Sequence, residues 1–302
     1  MKSSRLVRGA PIAVVATAGP VTPAKLEAGL EVLRGWGHDA AGGPSILRRR
    51  GFLAGPDARR AADLDAAIHR KDRPAIFFAR GGWGTARLLD AVDLRALRAR
   101  PRVLLGYSDL TSLFMALQKA RRPYPYRYGP SVSELGDPAA FHEPSLREAL
   151  YVPAATIAHA LRPAGTLRPG RAAGTLIGGC LTLLTHLLGT AYDFSWDGCI
   201  LFWEDLNEPP YRIDRMLQQL RLSGKLGRLA GMVVGTLRGC EAVAPTPGWP
   251  ISKLILEATA GTRYPIVTGF PAGHIPRKRT LLMGVPAEID TGRSRLVIRA
   301  EG

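Results

Sequence analysis

Short apolar runs alternate with amphipathic stretches along the first half of the chain. Runs of mainly apolar residues are typical of parallel strands that are covered on both faces, and they predict strands at residues 11–16, 75–79 and 102–107. Between them, apolar residues recur every three or four positions, which predicts helices at residues 23–36, 58–71, 85–89 and 110–120. The alternation indicates an α/β protein whose N-terminal half forms a doubly wound parallel sheet.

The pattern changes after residue 120, where prolines interrupt it repeatedly. The Pro- and Gly-rich stretch from Arg162 to Arg171 predicts a linker over residues 161–172. We therefore expect an N-terminal domain over residues 1–160 and a smaller C-terminal α/β domain over residues 173–302. In the C-terminal domain the pattern predicts helices at residues 179–188 and 211–220 and strands at residues 199–203, 231–236, 265–268 and 296–299.

The chain is strongly basic, with 41 Lys and Arg residues against 25 Asp and Glu residues and a formal net charge of +16. Such a charge raises the alternative of a nucleic-acid-binding protein. The basic residues are spread through the chain, however, and the aromatic residues do not interleave with them as a stacking platform would require. We therefore favour a generally Arg-rich surface and expect no nucleic-acid partner.

The cysteines and the lengths of the apolar runs indicate in which cellular compartment the protein works. Cys180, Cys199 and Cys240 are odd in number and form no Cys-x-x-Cys pair, so we expect neither a zinc site nor a disulfide framework, which fits a reducing compartment. No run of about 18 apolar residues predicts a membrane-spanning helix. The N-terminal apolar run is interrupted by prolines, and we interpret it as a first strand rather than as a signal peptide.

A serine lies where the predicted strand at 102–107 turns into a helix, within Gly106-Tyr107-Ser108-Asp109. A sharp strand-to-helix turn is the setting of a nucleophile elbow, which projects the hydroxyl beyond the sheet beside free helical N–H groups. The stretch lacks the last glycine of the Gly-x-Ser-x-Gly pattern, and Ser108 or Asp109 would also serve as an ordinary helix cap. From the local sequence both interpretations stay open.

Three further stretches carry chemistry-bearing residues after predicted strands. Gly81-Gly82-Trp83-Gly84 matches neither the dinucleotide fingerprint nor a Walker motif, but its N–H groups could approach a substrate carbonyl. Glu204 opens a cluster of carboxylates that either supplies an acid or orienting group or forms a solvated loop. His274 lies in a glycine-rich loop, where it is either a base or a structural histidine.

Together these stretches resemble the LD-carboxypeptidase family of serine peptidases, which also contains microcin-C-resistance-type enzymes. Each segment alone is weakly specific, whereas the order and spacing of all of them are specific. They occur from about residue 10 to residue 290, and the matching segments are Ala79-Arg80-Gly81-Gly82-Trp83-Gly84, Gly106-Tyr107-Ser108-Asp109, Gly178-Gly179, Trp203-Glu204-Asp205, Pro210 to Leu217, and Gly273-His274 with Gly284. The resemblance implies a flavodoxin-like or class I glutamine amidotransferase-like N-terminal domain and a swivelling C-terminal domain.

The resemblance also implies a catalytic triad, in which Ser108 is the nucleophile, His274 the base and Glu204 the carboxylate that orients the imidazole. The backbone N–H groups of Gly82 and Asp109 would form the oxyanion hole, and no metal or other cofactor would be needed. The implied substrate is a cytoplasmic murein tetrapeptide, which loses its terminal D-alanine, and the implied assembly is a homodimer without a membrane partner. A rival substrate for the same triad is an aminoacyl-nucleotide antibiotic conjugate, whose hydrolases tend to be longer than 302 residues.

Other residues bear on the substrate pocket rather than on the triad. Trp83 and Arg277 are candidates for substrate contact, and we expect the run Arg277-Lys278-Arg279 to attract an anionic peptide. The chain departs from the family pattern where Cys180 and Lys278 replace an Asn and Leu282 replaces a Pro. Tyr128-Gly129-Pro130-Ser131 matches a further family stretch only in part.

Overall fold

Two mixed β-sheets flanked by helices make up the fold. The computed structural model describes residues 5–43, 45–119, 123–151, 156–240 and 249–299. The helices are α1 (Pro23–Gly35), α2 (Asp57–His69), α3 (Leu94–Ala99), α4 (Thr111–Gln118), α5 (Val132–Leu135), α6 (Glu143–Tyr151), α7 (Leu181–His186), α8 (Pro210–Leu222) and α9 (Ile251–Ala258), with short 3₁₀ helices at Thr85–Ala91, Ser108–Leu110 and Pro163–Gly165. Within these ranges no helix is both long and apolar enough to cross a membrane.

The strands divide into a six-stranded and an eight-stranded sheet. The first contains β1 (Ile12–Val15), β2 (Ala40–Gly42), β3 (Ala75–Phe78), β4 (Val103–Gly106), β5 (Tyr126–Tyr128) and β12 (Leu281–Met283). The second contains β6 (Thr156–Ala160), β7 (Thr166–Arg168), β8 (Arg171–Cys180), β9 (Ile200–Leu206), β10 (Gly231–Arg238), β11 (Ile266–Val267), β13 (Val285–Asp290) and β14 (Arg295–Arg299).

The first sheet is a doubly wound parallel sheet with one antiparallel edge strand. Its order is β12-β5-β4-β3-β1-β2, and only β12 runs antiparallel to its neighbour. Strands β1, β3 and β4 are buried along their whole length because α1, α5 and α6 cover one face and α2, α3 and α4 cover the other. The order reverses between β1 and β3, so the loops after these two strands form a crevice at the carboxyl edge, where such sheets bind ligands.

The second sheet has the order β6-β14-β13-β8-β9-β10-β11-β7, in which β8 to β11 are parallel. The outer strands on both sides are antiparallel to their neighbours. Helix α4 packs against α7 and β8, and its apolar residues belong to one core with those of the second sheet. The two sheets are therefore joined through the helix that follows Ser108.

The predicted fold class is confirmed: the chain is an α/β protein of two domains with an N-terminal doubly wound sheet. The strands predicted at residues 11–16, 75–79 and 102–107 are β1, β3 and β4. The helix predicted at residues 85–89 is a 3₁₀ helix, and the helix predicted from residue 179 begins only at Leu181 because β8 continues through Cys180. Strand β8 has no apolar run in its first half, since it begins Arg171-Ala172-Ala173-Gly174, and the sequence pattern did not predict it.

Strands cross the predicted domain boundaries in both directions. β6, at the end of the predicted N-terminal domain, pairs with β14, and β7, inside the predicted linker at residues 161–172, pairs with β11. β12 leaves the C-terminal half and pairs with β5 of the first sheet. We propose that each domain corresponds to one sheet. The C-terminal domain then begins at β6 and contributes β12 to the sheet of the N-terminal domain.

Candidate active site

The turn between β4 and α4 holds Ser108 in a strained backbone conformation. Ser108 has a φ of 61°, in the left-handed region that costs a residue with a side chain about 1–2 kcal/mol. The neighbouring loop is packed against it, since a Cβ added at Gly81 would lie 3.0 Å from the Ser108 Cβ. No side chain caps α4, and the Ser108 Oγ instead lies 2.9 Å from Nε2 of His274. The local geometry is that of a nucleophile elbow rather than of a helix cap.

Strand β9 carries Glu204, whose side chain is fully buried beside His274. One carboxylate oxygen, Oε2, accepts hydrogen bonds from Nδ1 of His274 at 2.8 Å and from the His274 backbone N–H at 3.1 Å. The other, Oε1, accepts one from the Tyr128 hydroxyl at 2.6 Å. The same hydroxyl accepts a hydrogen bond from the Ser108 backbone N–H at 3.2 Å, so Tyr128 links the carboxylate to the elbow.

The loop that carries His274 depends on a glycine. Gly273 has a φ of 112°, and a Cβ added there would lie 2.4 Å from the Glu204 Oε2. Only a residue without a side chain allows the backbone of this loop to approach the buried carboxylate so closely. Gly273 therefore sets the distance between His274 and Glu204.

The hydrogen bond between His274 and Glu204 determines which imidazole nitrogen carries the proton. Because an ionised carboxylate only accepts, Nδ1 of His274 carries a proton and Nε2 is free to accept one from the Ser108 hydroxyl. Burial lowers the pKa of His274, but the hydrogen bond and charge of Glu204 outweigh burial, so the pKa lies above its ordinary value of 6.5. Burial, and after it the charge of Glu204, raises the pKa of Tyr128 well above its usual range, which keeps its hydroxyl protonated.

Two backbone N–H groups lie close to Ser108: that of Gly82, on the loop after β3, and that of Asp109, the next residue of the elbow. Gly82 has a φ of 121°, and a Cβ added there would lie 3.1 Å from the Gly19 nitrogen. The buried Asp109 carboxylate accepts a hydrogen bond from the Thr85 N–H at 2.7 Å, which ties the elbow to the glycine-rich loop. Within the described part of the chain the N–H groups of Gly82 and Asp109 have no acceptor. Both donors are therefore available to a ligand.

A second buried group of polar residues supports the site, and sequence reasoning did not find it. Glu134 accepts hydrogen bonds from the Tyr107 hydroxyl at 2.8 Å, from the Lys278 Nζ at 2.6 Å and from the Ser131 hydroxyl at 2.7 Å. Burial raises the pKa of Glu134, but the charge of Lys278 and these hydrogen bonds outweigh it, and the carboxyl stays ionised. The Tyr107 ring packs against the His274 ring with centroids 4.9 Å apart. The only local signal was the Ser131–Glu134 capping box.

A cavity of about 500 Å³ opens onto Ser108 and His274. Gly81, Gly82 and Glu134 line it as well, but Trp83 and Arg277 do not. The Trp83 ring packs edge-on against His186 with centroids 5.0 Å apart. Arg277 is exposed, and its neighbour Lys278 is buried in the ion pair with Glu134. The geometry gives no support to Trp83 and Arg277 as substrate contacts, and it removes Lys278 from the charges that could attract a peptide.

The other carboxylates near Glu204 serve the structure of the loop. Asp205 accepts hydrogen bonds from the backbone N–H and the hydroxyl of Thr182, and the Cys180 thiol lies 3.6 Å from it. Glu208 forms an ion pair with Arg212. Among the described residues no group of His, Cys, Asp and Glu side chains could hold a metal ion. The chemistry available at this site is that of the serine, the histidine and the buried glutamate.

Comparison with known proteins identifies the family. The model of the LD-carboxypeptidase N-terminal domain matches residues 12–124, and that of its C-terminal domain matches residues 173–289. A Bacillus subtilis protein named as a probable murein peptide carboxypeptidase is 32% identical over 99% of this chain and 94% of its own length. The crystal structure of a muramoyltetrapeptide carboxypeptidase from Oxalobacter formigenes superposes with a TM-score of 0.84 at 29% identity, covering 97% of this chain and 99% of that one. The microcin C7 self-immunity protein shares the fold, with a TM-score of 0.88 at 21% identity over the whole of both chains. The chain belongs to the LD-carboxypeptidase family.

Proposed function

We propose that the protein is a serine carboxypeptidase that removes the terminal D-alanine from murein tetrapeptides by cleaving the L,D-peptide bond. The observation that carries the proposal is the continuous set of hydrogen bonds from Ser108 through His274 to the buried Glu204. Nucleophile, base and orienting group within hydrogen-bond reach of one another are the signature of covalent catalysis by a hydrolase. The named activities of the family members that cover nearly all of the chain supply the substrate class.

In this mechanism Ser108 Oγ attacks the carbonyl carbon of the third residue while Nε2 of His274 takes the hydroxyl proton. The resulting imidazolium is stabilised by Glu204 and passes its proton to the leaving amine of D-alanine. An ester between Ser108 and the tripeptide remains. His274 then takes a proton from a water molecule as its oxygen attacks the ester carbonyl. It passes this proton to Ser108 Oγ when the bond to the serine breaks, which releases the tripeptide and restores the serine hydroxyl and the neutral imidazole.

The negative charge that forms on the carbonyl oxygen needs donors fixed before the reaction. The N–H groups of Gly82 and Asp109 fit this role because they flank Ser108 and have no acceptor among the described residues. The Asp109 side chain holds the Thr85 N–H and so fixes the spacing between the two loops. Loss of one such donor in other hydrolases lowers kcat about 10²- to 10³-fold.

We place this reaction in the cytoplasm, in the recycling of cell-wall peptides, and expect a homodimer. Cys180, Cys199 and Cys240 are all free thiols, which agrees with a reducing compartment. The net charge of +16 favours attraction of peptides that carry free carboxylates. Among the described residues that line the cavity, no tyrosine, tryptophan or phenylalanine other than Tyr107 could stack on a nucleic-acid base, and Tyr107 packs on His274.

The test is incubation with a murein tetrapeptide, followed by mass spectrometry of the products. We expect release of D-alanine and of the tripeptide, and a loss of kcat of about 10⁴- to 10⁶-fold in Ser108→Ala. Ser133→Ala is the matched control, since the Ser133 residue lines the same cavity outside the triad, and it should keep its activity. Undiminished activity of Ser108→Ala would overturn the triad. A wild type that leaves the tetrapeptide intact but hydrolyses an aminoacyl-nucleotide conjugate would overturn the murein substrate.

A further inference from the structure

One wall of the active-site cavity is positively charged. Arg80, at the end of β3, and Lys25, in the first turn of α1, both line the cavity that holds Ser108. Within the described ranges neither side chain forms an ion pair with a carboxylate. Two cations without an acidic partner at the edge of a catalytic cavity are available for an anionic ligand.

The acidic residue that lines the same cavity does not neutralise them. Glu134 lines the cavity, but its carboxylate is already held by Lys278, Tyr107 and Ser131. The Lys278 side chain is 5% exposed, and its charge is neutralised by Glu134. Arg80 and Lys25 therefore leave the cavity with a net positive charge on the side of β1 and β3.

The guanidinium of Arg80 is held in place by the loop that follows β1. Its Nη1 donates a hydrogen bond to the Pro20 carbonyl at 2.7 Å, and the Gly19 N–H donates one to the Gly81 carbonyl at 3.1 Å. The two loops therefore form one rigid edge of the crevice between β1 and β3. The remaining N–H groups of Arg80 form the planar fork that matches a carboxylate.

The start of α1 adds to the same wall. Thr22, which precedes the helix, lines the cavity, and its side chain does not cap the first turn. The N-terminal turn of a 13-residue helix leaves N–H groups unpaired and carries a partial positive charge. The helix end, Lys25 and Arg80 thus meet at one place.

We propose that Arg80, with support from Lys25 and the first turn of α1, binds the free C-terminal carboxylate of the residue that is cleaved off. The inference rests on the proposed function and deepens it, because it explains why the enzyme would act as a carboxypeptidase rather than as an endopeptidase. Arg80 and Gly82 line the same cavity as Ser108, so a peptide whose carbonyl oxygen is held at Gly82 lies in the cavity that the Arg80 guanidinium borders. The anion-binding role falls to Arg80 rather than to the exposed Arg277.

The test compares two substrates that differ only at the end of the chain. The first is the tetrapeptide with a free terminal D-alanine, and the second is the same peptide with a D-alanine carboxamide. We expect the wild type to prefer the free acid in kcat/KM by about 10- to 100-fold, the usual worth of a charge-assisted hydrogen bond pair. Arg80→Gln should lower kcat/KM for the free acid by about the same factor and leave the carboxamide almost unchanged.

Three further variants control this comparison. Arg80→Lys keeps the charge without the fork and should restore part of the preference. Lys25→Gln reports on the same wall without removing the hydrogen bond to Pro20, and it should reduce the preference by a smaller factor. Arg95→Ala removes an exposed cation that does not line the cavity and should behave as the wild type. Circular dichroism of each variant checks that it is folded.

Each outcome decides between the two proposals. Equal cleavage of both substrates by the wild type would overturn carboxylate recognition and leave the carboxypeptidase chemistry standing. A wild-type preference that persists in both Arg80→Gln and Lys25→Gln would overturn the assignment to this wall. Cleavage of neither substrate by the wild type would instead overturn the proposed function, and with it this inference.

Discussion

Nε2 of His274 lies 2.9 Å from Oγ of Ser108, although the two residues are 166 positions apart and belong to loops of different sheets. The serine follows β4 of the first sheet, and the histidine follows β11 of the second. The contact therefore exists only when the two sheets are packed together through α4.

The pH dependence of activity should reflect the environment of His274. In the proposed role of base, its imidazole must be neutral, so kcat/KM should rise as the pH increases through its pKa. Because Glu204 raises that pKa, the midpoint should lie above 6.5 in the wild type. In Glu204→Gln the charge is gone while burial remains, and the His274 midpoint, followed by NMR of the imidazole, should fall below 6.5. A midpoint that does not move would show that Glu204 does not act on the imidazole.

Gly273→Ala should inactivate the protein without unfolding it. The added methyl group would meet the Glu204 Oε2, and the loop carrying His274 would have to move away from the carboxylate. We expect kcat to fall by about 10²-fold or more, since a displacement of about 1 Å at a catalytic group has this effect. Gly269→Ala is the matched control: Gly269 also has a positive φ, of 71°, but nothing lies within 4 Å of its added Cβ. Similar kcat values for the two variants would refute the argument.

Tyr128→Phe should change the chemistry of the triad more than its stability. The variant removes the hydrogen bond to Glu204 and the acceptor for the Ser108 N–H. Without that donor the Glu204 carboxylate shares its negative charge, among the described residues, with His274 alone. The midpoint of the kcat profile should therefore move to higher pH, and kcat should fall about 10-fold with KM unchanged. Tyr126→Phe is the control on the same strand, because the Tyr126 hydroxyl bonds to the Gly178 backbone instead. An unshifted profile in Tyr128→Phe would leave Tyr128 a purely structural residue.

His159 should make the protein sensitive to acid. It is buried on β6 against the Phe270 ring, neither ring nitrogen has a hydrogen-bond partner among the described residues, and burial lowers its pKa to about 4. In the unfolded chain His159 takes up a proton near pH 6.5, whereas in the folded protein it stays neutral down to about pH 4. The unfolding free energy therefore decreases as the pH falls from about 6.5 to about 4. Over this window the loss should approach ~3 kcal/mol.

His159→Phe should abolish that part of the pH dependence of the unfolding free energy, measured by urea titration at several pH values. Ile157→Val, at a buried position without a titratable group on the same strand, is the control and should lower the unfolding free energy equally at each pH. A wild type with the same unfolding free energy at pH 7 and pH 4.5 would contradict the role of His159.

The residues of the site that belong to short local motifs could be predicted from the sequence. Ser108 and His274 follow strands and Glu204 lies on β9. Each belongs to a short motif, and the resemblance of those motifs to one family brought them together. The structure places all three in contact, as the resemblance implied. Strands with continuous apolar runs, such as β3 and β4, were equally visible.

The remaining residues depend on contacts between distant segments, which no local pattern reports. Tyr128 reaches Glu204 across 76 positions, and Lys278 reaches Glu134 across 144. Lys278 therefore looked like part of a basic run in the sequence, although it is buried in an ion pair in the structure. The edge strand β12 has only three residues, and its role is defined solely by its partner β5.

The position of β12 in the chain links the pairing of the first sheet to the assembly of the candidate active site. A chain that ended before β12 would leave the backbone of β5 unpaired at the border of the first sheet, and an open edge of this kind recruits strands from other molecules. The segment that closes it comes just after the loop bearing His274. The backbone of β5 is thus paired by the same stretch of chain that carries His274, so a chain without this stretch would lack both the pairing of β5 and the proposed base. The two halves are therefore not interchangeable modules.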